Sequence, residues 1–190
     1  MKSLNELIPA MQLEKKITIE DIPDLDLYMD QVIQLFDKTF QNAKRNDNEK
    51  IITKTMINNY AKGGLLLPIK NKRYSKEHVM LLSLIFELKG ALSINDIKIT
   101  LQYVNEKTTS DEFNVSDFYS CYLNLASANT AIFMKKIDEH TLEVRQQVEK
   151  IEGDEFVQKV LTILSLVTMS NFYRKAAEKL IDELPSIREK

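Results

Sequence analysis

Thr53-Lys-Thr-Met-Ile-Asn-Asn-Tyr60 is closely followed along this chain by two further segments. These are Gly64-Leu-Leu-Leu-Pro68 and Arg73-Tyr-Ser75, and only a few residues separate the three. Their order predicts a helix, a turn, a basic hairpin and a second helix within residues 52–98. That succession is the layout of a winged helix-turn-helix, in which a short helix lies in the DNA major groove and a basic loop beside it contacts phosphate. DNA binding is therefore the leading hypothesis.

The first predicted helix of this stretch is capped by Thr53 and runs to Lys62, where Gly63-Gly64 supplies a left-handed ending. Ile57 and Tyr60 face inward on it. Pro68 stops further helix, and residues 69–74 form a small hairpin with its tip at Asn71. The candidate base-reading and phosphate-binding residues of the helix and hairpin are Thr53, Lys54, Thr55, Asn58, Tyr60, Lys70, Lys72, Arg73 and Tyr74. For the two tyrosines, the alternative is core packing.

On either side of this stretch the spacing of apolar residues predicts further helices. One covers residues 27–43, with Asp24 or Asp26 as its cap, and a polar connection over 44–50 follows it. Ser75 caps another, and Ser93 begins the next. Their expected inward faces consist of Leu27, Val32, Ile33, Leu35, Phe36 and Phe40, then Val79, Leu82, Ile85 and Phe86, then Ile94, Ile97 and Leu101.

Beyond a polar linker predicted at residues 105–116, two long helices are expected at 116–151 and 155–184. Gly153-Asp154 separates them, and Pro185 marks the end of the second. Helices joined so tightly should pack antiparallel. The organisation predicted is mainly α: an arm over 1–23, a winged helix-turn-helix domain over 24–104, the linker, and a helical dimerisation or effector domain over 117–190.

Charge is distributed unevenly along the 190 residues, although the formal net charge is only −2. Residues 41–76 hold nine Lys or Arg against two acids, a balance of +7, whereas the rest of the chain is acidic. The positive segment thus coincides with the candidate DNA-reading stretch, as nucleic-acid binding requires. The alternative is a solvated surface with uneven charge.

Composition argues against several other classes of protein. The single cysteine, Cys121, allows no intramolecular disulfide and no cysteine-based metal site, which favours a cytoplasmic location. There is no signal-peptide core and no apolar run of the roughly 20 residues that span a bilayer. The two histidines, His78 and His140, lie too far apart in sequence to suggest a catalytic or metal set, so neither an enzyme nor a cofactor is expected. Core burial is expected to leave Cys121 inert.

The stretch 53–98 resembles the DNA-binding domain of the MerR family of bacterial transcription regulators. The match rests on the Thr53 cap, Tyr60, Gly64-Leu65-Leu66, Pro68, Arg73-Tyr74-Ser75 and Leu92-Ser93-Ile94-Asn95-Asp96-Ile97. The whole chain also resembles a bacterial family known only as domain of unknown function 1836. The MerR resemblance implies a transcriptional regulator that binds double-stranded DNA. Because Asn58, Asn59 and Ala61 stand where that family has Arg, Tyr and Glu, base preference does not carry over.

A single short helix and wing bury little surface on DNA, so a homodimer through the C-terminal helices is predicted. The C-terminal aromatic residues could in addition line a pocket for a small-molecule effector, and ordinary helix packing is the alternative. The alternative function is a protein-interaction or scaffold protein that keeps the winged fold without specific DNA reading.

Overall fold

A computed structural model of the chain describes residues 4–46, 48–110 and 113–188. Within those ranges the protein is mainly helical, as predicted, with one small two-stranded sheet. In chain order the elements are α1 (Leu4–Met11), β1 (Leu27–Tyr28), α2 (Met29–Phe40) followed by a 3₁₀ turn (Gln41–Ala43), α3 (Lys54–Lys62), β2 (Arg73–Tyr74), α4 (Lys76–Leu88), α5 (Ile94–Thr109), α6 (Val115–Glu149) and α7 (Glu155–Arg188).

The chain divides into two compact units, Met1–Ala126 and Ser127–Lys190. The division falls within α6 and not in the linker predicted at residues 105–116. That predicted linker instead begins inside α5, which continues to Thr109, and it includes Asp111 and Glu112, which lie outside the described residues. The first turns of α6 belong to the first unit because Tyr119 is fully buried in its core. The hydroxyl of Tyr119 donates to the carbonyl oxygen of Ile17 at 2.7 Å and lies 2.8 Å from Oγ of Ser83.

The core of the first unit is centred on α4, which is buried around its whole circumference from His78 to Ile85. The sequence predicted a single inward face for this helix, and that prediction was wrong in extent, since Met80, Leu81 and Leu84 are buried as well. Helices buried on all sides carry apolar residues at consecutive positions, as the Met80-Leu81-Leu82 run does. The helices and loops around it contribute Val32, Phe36, Phe40, Ile51, Ile52, Ile57, Leu65, Ile97, Leu101 and Val104.

The start of α2 differs from the prediction. Leu27 and Tyr28 form strand β1, which pairs antiparallel with β2 in the register Leu27 to Tyr74 and Tyr28 to Arg73. The helix therefore begins two residues later than expected, and neither Asp24 nor Asp26 caps it. The backbone N–H of Tyr28 instead donates to the side chain of Gln31 at 2.8 Å, which satisfies a donor that the helix itself leaves free.

The predictions for α5 were confirmed in part. Oγ of Ser93 accepts from the backbone N–H of Asp96 at 3.1 Å, and this contact begins α5. Ile97 and Leu101 are buried on that helix, whereas Ile94, expected inward, is half exposed. It lies on the first turn, before the helix meets the core.

The second unit consists of the rest of α6 and of α7, joined by a tight turn at residues 150–154. Gly153 permits close packing at this turn, since a Cβ atom there would lie 3.0 Å from side-chain atoms of both Val148 and Val157 and these would have to shift. His140 and Ser165, each about a dozen residues from the turn, line the same cleft, so the helices run antiparallel. Pro185 was predicted to end the second helix, but α7 continues through it to Arg188.

Candidate nucleic-acid interface

Helix α3 presents one polar face and one buried face. Ile57 and Tyr60 are buried, and on the opposite side the exposed residues are Lys54, Thr55, Asn58, Asn59 and Lys62. The division follows from helix geometry, since residues three or four apart share a face. A short helix fixed along one side in this manner offers its other side, free of apolar groups, to a polar partner.

Two contacts fix the position at which α3 begins. Oγ1 of Thr53 accepts from the backbone N–H of Met56 at 3.2 Å, as the sequence predicted. Nζ of Lys89, at the end of α4, donates to the carbonyl oxygen of Ile51 at 2.8 Å and lies 4.5 Å from the ring centroid of Phe86. Burial lowers the pKa of Lys89. The sequence does not mark this contact, because the ammonium group of Lys89 finds its carbonyl partner across 38 residues of chain.

The chain leaves α3 through Gly64, whose φ of +73° is the left-handed conformation predicted for the helix ending. Leu65 and Leu66 then enter the core. The side-chain amide of Asn105, on α5, donates to the carbonyl oxygen of Leu65 at 3.0 Å. Both ends of α3 are thus tied to helices that follow it in sequence.

The predicted hairpin turns at Asn71 and Lys72, which have φ values of 52° and 56°. The backbone N–H of Arg73 donates to the carbonyl oxygen of Lys70 at 2.9 Å, closing a turn of the mirror-image type that tight hairpins use. An isolated bridge joins Lys70 to Arg73, but β2 otherwise pairs with β1 and not with residues 69–70 on the other side of the turn. Lys70, Lys72 and Arg73 are exposed at this turn.

His78 ties the hairpin to the N-terminus of α4. Its Nδ1 accepts from the backbone N–H of Ser75 at 3.1 Å, and its Nε2 lies 3.3 Å from the carbonyl oxygen of Leu67. An acceptor at Nδ1 implies a neutral ring with its proton on Nε2, where it can donate to Leu67. Burial lowers the pKa of His78, which favours that neutral form. Sequence reasoning weighed this histidine as a metal ligand and missed its role at the hairpin.

Residues 24–30 supply partners for three cations of the basic segment. Nζ of Lys54 lies 2.7 Å from Oδ1 of Asp30, and Nζ of Lys76 lies 2.9 Å from Oδ1 of Asp24, where the lysine lowers the pKa of the carboxyl group. The guanidinium of Arg73 donates to the hydroxyl of Tyr28 at 2.8 Å and lies 4.3 Å from the centroid of that ring. These exposed contacts are individually weak, so a stronger anionic partner can replace them.

Two of the predicted contact residues lie in the core. Tyr60 and Tyr74 are only 6% and 3% exposed, and burial raises the pKa of both phenols. The expectation that their hydroxyls contact phosphate is therefore not supported by their position, and the core alternative describes them. Tyr74 packs edge-on against the ring of His78, at 5.9 Å between centroids, and so supports the hairpin from within.

Other sites considered in the sequence do not come together. Cys121 is exposed, contrary to the expected burial, because the α6 face that carries it points away from the core. Among residues 4–46, 48–110 and 113–188, no group of three potential metal ligands is close enough to hold an ion, and no helix is long and apolar enough to cross a membrane.

The described side chains do not form the C-terminal aromatic pocket that the sequence left open beside ordinary helix packing. Phe156, Phe172 and Tyr173 are more than half exposed, whereas Tyr119 is buried in the first unit. A cleft of about 470 Å³ does lie between α6 and α7, but its lining contains no phenylalanine or tyrosine and consists of His140, Glu143, Val144, Gln146, Gln147, Leu161 and Ser165.

Comparison with known proteins matches the chain to one protein family. No curated protein and no solved structure shows significant similarity to the chain. One family model matches residues 17–122, more than half of the chain, and it ends near the boundary of the first compact unit. The chain belongs to the family described as a domain of unknown function (DUF1836).

Proposed function

We propose that this protein is a DNA-binding transcriptional regulator of the cytoplasm, with a MerR-like winged helix-turn-helix in its first unit, and that it acts as a homodimer through its C-terminal helices. The observation that carries the proposal is the contrast between the two faces of α3. One face packs into the core through Ile57 and Tyr60, and the other exposes only polar and cationic side chains. A rigid helix with a polar outer face is what major-groove reading requires.

The residues of this surface fall into two roles. Lys54, Thr55 and Asn58 are the base-reading candidates, because an exposed helix start brings side chains to base edges and Asn can pair with adenine through two hydrogen bonds. Lys70, Lys72 and Arg73, exposed at the hairpin turn, are the phosphate-binding candidates. Thr53, Tyr60 and Tyr74 act indirectly, by holding the helix and the hairpin in place.

The charge of this segment sets a quantitative expectation. Residues 41–76 carry a balance of +7, and about five phosphate contacts would make log affinity fall with log salt at a slope of about −4 to −5. A flat salt dependence would contradict the proposal.

One observation favours the alternative of a scaffold protein without specific DNA reading. Lys54 and Arg73, the central candidates, already have partners in Asp30 and Tyr28. A surface whose cations are satisfied internally could serve instead as a polar docking face for another protein. The same contacts are compatible with DNA binding if phosphate displaces them.

The test is selection of bound fragments from sheared genomic DNA by the purified full-length chain, followed by sequencing. The variant Lys54→Ala/Arg73→Ala is carried in parallel. Its matched control is Lys135→Ala/Lys136→Ala, which removes two exposed cations from α6 in the second unit. Both variants lower the net charge equally. A difference in DNA enrichment between them therefore depends on where the cations are removed and not on how many.

Enrichment of a shared palindromic site by the wild type and the control, and its loss in the Lys54→Ala/Arg73→Ala variant, is the expected result. Palindromy follows from the two-fold symmetry of a dimer. Equal enrichment by all three proteins, or no enriched site at moderate salt, would contradict sequence-specific reading and favour the scaffold alternative.

A further inference from the structure

One face of α7 is apolar and exposed over three turns. Phe156, Val160, Ile163, Leu164 and Val167 are separated by the helical intervals of four, three, one and three residues, which place them on one side of the helix. Their side chains are between 38% and 68% exposed. Helical spacing of this kind is typical of residues in a core, but within one copy of the chain these side chains are exposed.

The other sides of α7 differ along its length. Near the turn, Leu161 and Ser165 line the cleft against α6 together with His140 and Val144. Farther along the helix, Phe172, Tyr173 and Leu180 are exposed as well. A helix with apolar side chains on more than one side is characteristic of a position among several packed layers, and within the described part of the second unit only α6 is available to cover it.

Charge distinguishes this face from the exposed part of α6. Residues 160–173 of α7 contain no Asp, Glu, Lys or Arg, whereas residues 127–149 of α6 contain seven. A charged helix surface is adapted to water. The centre of a protein interface, in contrast, is depleted of charged residues, as this stretch of α7 is. Both helices expose some apolar side chains, among them Ile132 and Leu142 on α6, but within residues 127–190 the longest stretch without charge lies on α7.

We infer that this face of α7, defined by Phe156, Val160, Ile163, Leu164 and Val167, is the dimer interface, and that it packs against the same face of a second copy. This interface is the surface through which the homodimer of the proposed function would form. It rests on the proposed function only for the purpose of the dimer, which is to read two half-sites. Each α7 then lies between its own α6 and the partner's α7.

The exposed area agrees with such a contact. If each free side chain offers about 150–200 Å², the five residues present roughly 500 Å², which is in the range of the largest apolar patch on a typical soluble monomer, a patch that is often functional. A stable interface buries about 800 Å² per partner, so flanking residues such as Thr168 and Asn171, both exposed, would complete it.

A second copy is favoured over an unrelated partner because the second unit lacks a core of its own. Among its described residues only Ile137, Val144, Val148 and Ile181 are buried apolar side chains, which is little for 64 residues. Two helices present too little shared surface to fold stably alone, and pairing identical hairpins across a two-fold axis provides each with the missing layer. An uncharged face also carries no charge pattern that would select a different protein.

The experiment measures the mass of the full-length protein by sedimentation velocity over a series of concentrations from about 1 to 100 μM, the range of ordinary dimer affinities. Three proteins are compared: the wild type, Ile163→Asp, and Leu142→Asp as control. Ile163 and Leu142 are 60% and 55% exposed, both on long helices, so a charge at either site costs the monomer equally little. Circular dichroism confirms that helix content is unchanged.

We expect a dimer for the wild type and for Leu142→Asp, and a dissociation constant at least 100-fold higher for Ile163→Asp. A second measurement does not depend on an introduced charge: Ile163→Cys, near the centre of the face, in a Cys121→Ser background should form an intermolecular disulfide on mild oxidation, whereas Leu142→Cys in the same background should not. A wild-type monomer at all concentrations, or equal dimerisation of both Asp variants, would overturn the inference and leave the face to another protein or to a lipid surface.

Failure of this inference can be told apart from failure of the proposed function. A dimer that is broken by Ile163→Asp but selects no DNA site would retain the interface and contradict the regulator. A chain that selects a palindromic site but dimerises equally well with Ile163→Asp would retain the regulator and place its dimer contact elsewhere.

Discussion

The two compact units use apolar residues in opposite ways. In residues 1–126 the periodic apolar positions close on one another around α4, and 24 described residues form one continuous buried cluster. In residues 127–190 the corresponding positions on α7 point outward, although they are just as regularly spaced. Periodicity therefore identifies an apolar face, but it does not say whether the same chain covers that face.

The largest effect that can test this contrast is loss of a side chain from the centre of α4. Leu82→Ala should lower the free energy of unfolding of the first unit by about 2–5 kcal/mol, because Leu82 is fully buried and leaves a cavity. Leu142→Ala, which truncates an exposed leucine of α6, should change it by less than about 0.5 kcal/mol. Urea denaturation followed by circular dichroism measures both, and equal losses would contradict the assignment of the core.

A second prediction concerns the point at which α6 joins the first unit. Tyr119→Phe should lower the free energy of unfolding by about 1–3 kcal/mol, because it leaves the Ile17 carbonyl and the Ser83 hydroxyl without their buried partner. Tyr103→Phe, at a half-exposed site on α5, should cost little. If the two variants are equally stable, the Tyr119 contacts do not hold α6 to the core.

The pH dependence of stability provides a further test of the Tyr119 contacts, by comparison of the wild type with Tyr119→Phe. Burial raises the pKa of Tyr119 to about 12, from an ordinary value of 10.0. A raised pKa stabilises the fold fully below pH 10, and the contribution is lost as pH rises from 10 towards 12. The gap between wild type and Tyr119→Phe should therefore narrow over that range.

A smaller acid effect is expected at the hairpin. Burial lowers the pKa of His78 below 6.5, so the neutral ring contributes stability above pH 6.5, and the contribution is lost as pH falls through the folded-state pKa. Protonation would place a hydrogen on Nδ1 opposite the N–H of Ser75. The loss in the free energy of unfolding should be at most about 1.4 kcal/mol per pH unit.

His78→Gln should remove this acid-dependent loss, and His140→Gln, which changes the only other histidine, should retain it. Denaturation curves between pH 7 and about 5 measure the difference. An identical pH profile for the wild type and His78→Gln would show that the histidine does not hold the hairpin through its neutral form.

The smallest predicted effect concerns the surface of the first unit. Asp30→Asn releases Lys54 from an exposed ion pair, so affinity for DNA should rise by about two- to fivefold. Glu139→Gln removes the same charge from the second unit and should leave affinity unchanged. Fluorescence anisotropy with a labelled duplex measures both, and a fall in affinity for Asp30→Asn would indicate that the pair positions Lys54 and does not restrain it.

Local chemistry in the sequence was sufficient for most helix boundaries of the first unit. Thr53 and Ser93 accept from the backbone N–H three residues on, and Gly64 takes the left-handed conformation, because each of these requirements involves only neighbouring residues. The exposed face of α3 was predictable for the same reason. The start of α2 was not, because Leu27 and Tyr28 are drawn into a strand by residues 73–74.

The contacts that hold the candidate site in place are almost all long-range. Lys89 reaches Ile51, Asn105 reaches Leu65, and Asp30 meets Lys54 only after the helices have packed. Nothing in the local sequence around any of these residues marks its partner. Burial of Tyr60 and Tyr74 likewise depends on which side of each element meets α4.

By itself, the sequence determined the mainly helical composition, the caps and turns, the polar face of α3 and the concentration of positive charge in residues 41–76. Only the tertiary structure decided which apolar faces are covered, which cations have partners and where the first unit ends. The physical reason is range: caps, helical periodicity and charge are properties of neighbouring residues, whereas burial and pairing are decided by residues that meet only when the chain has folded.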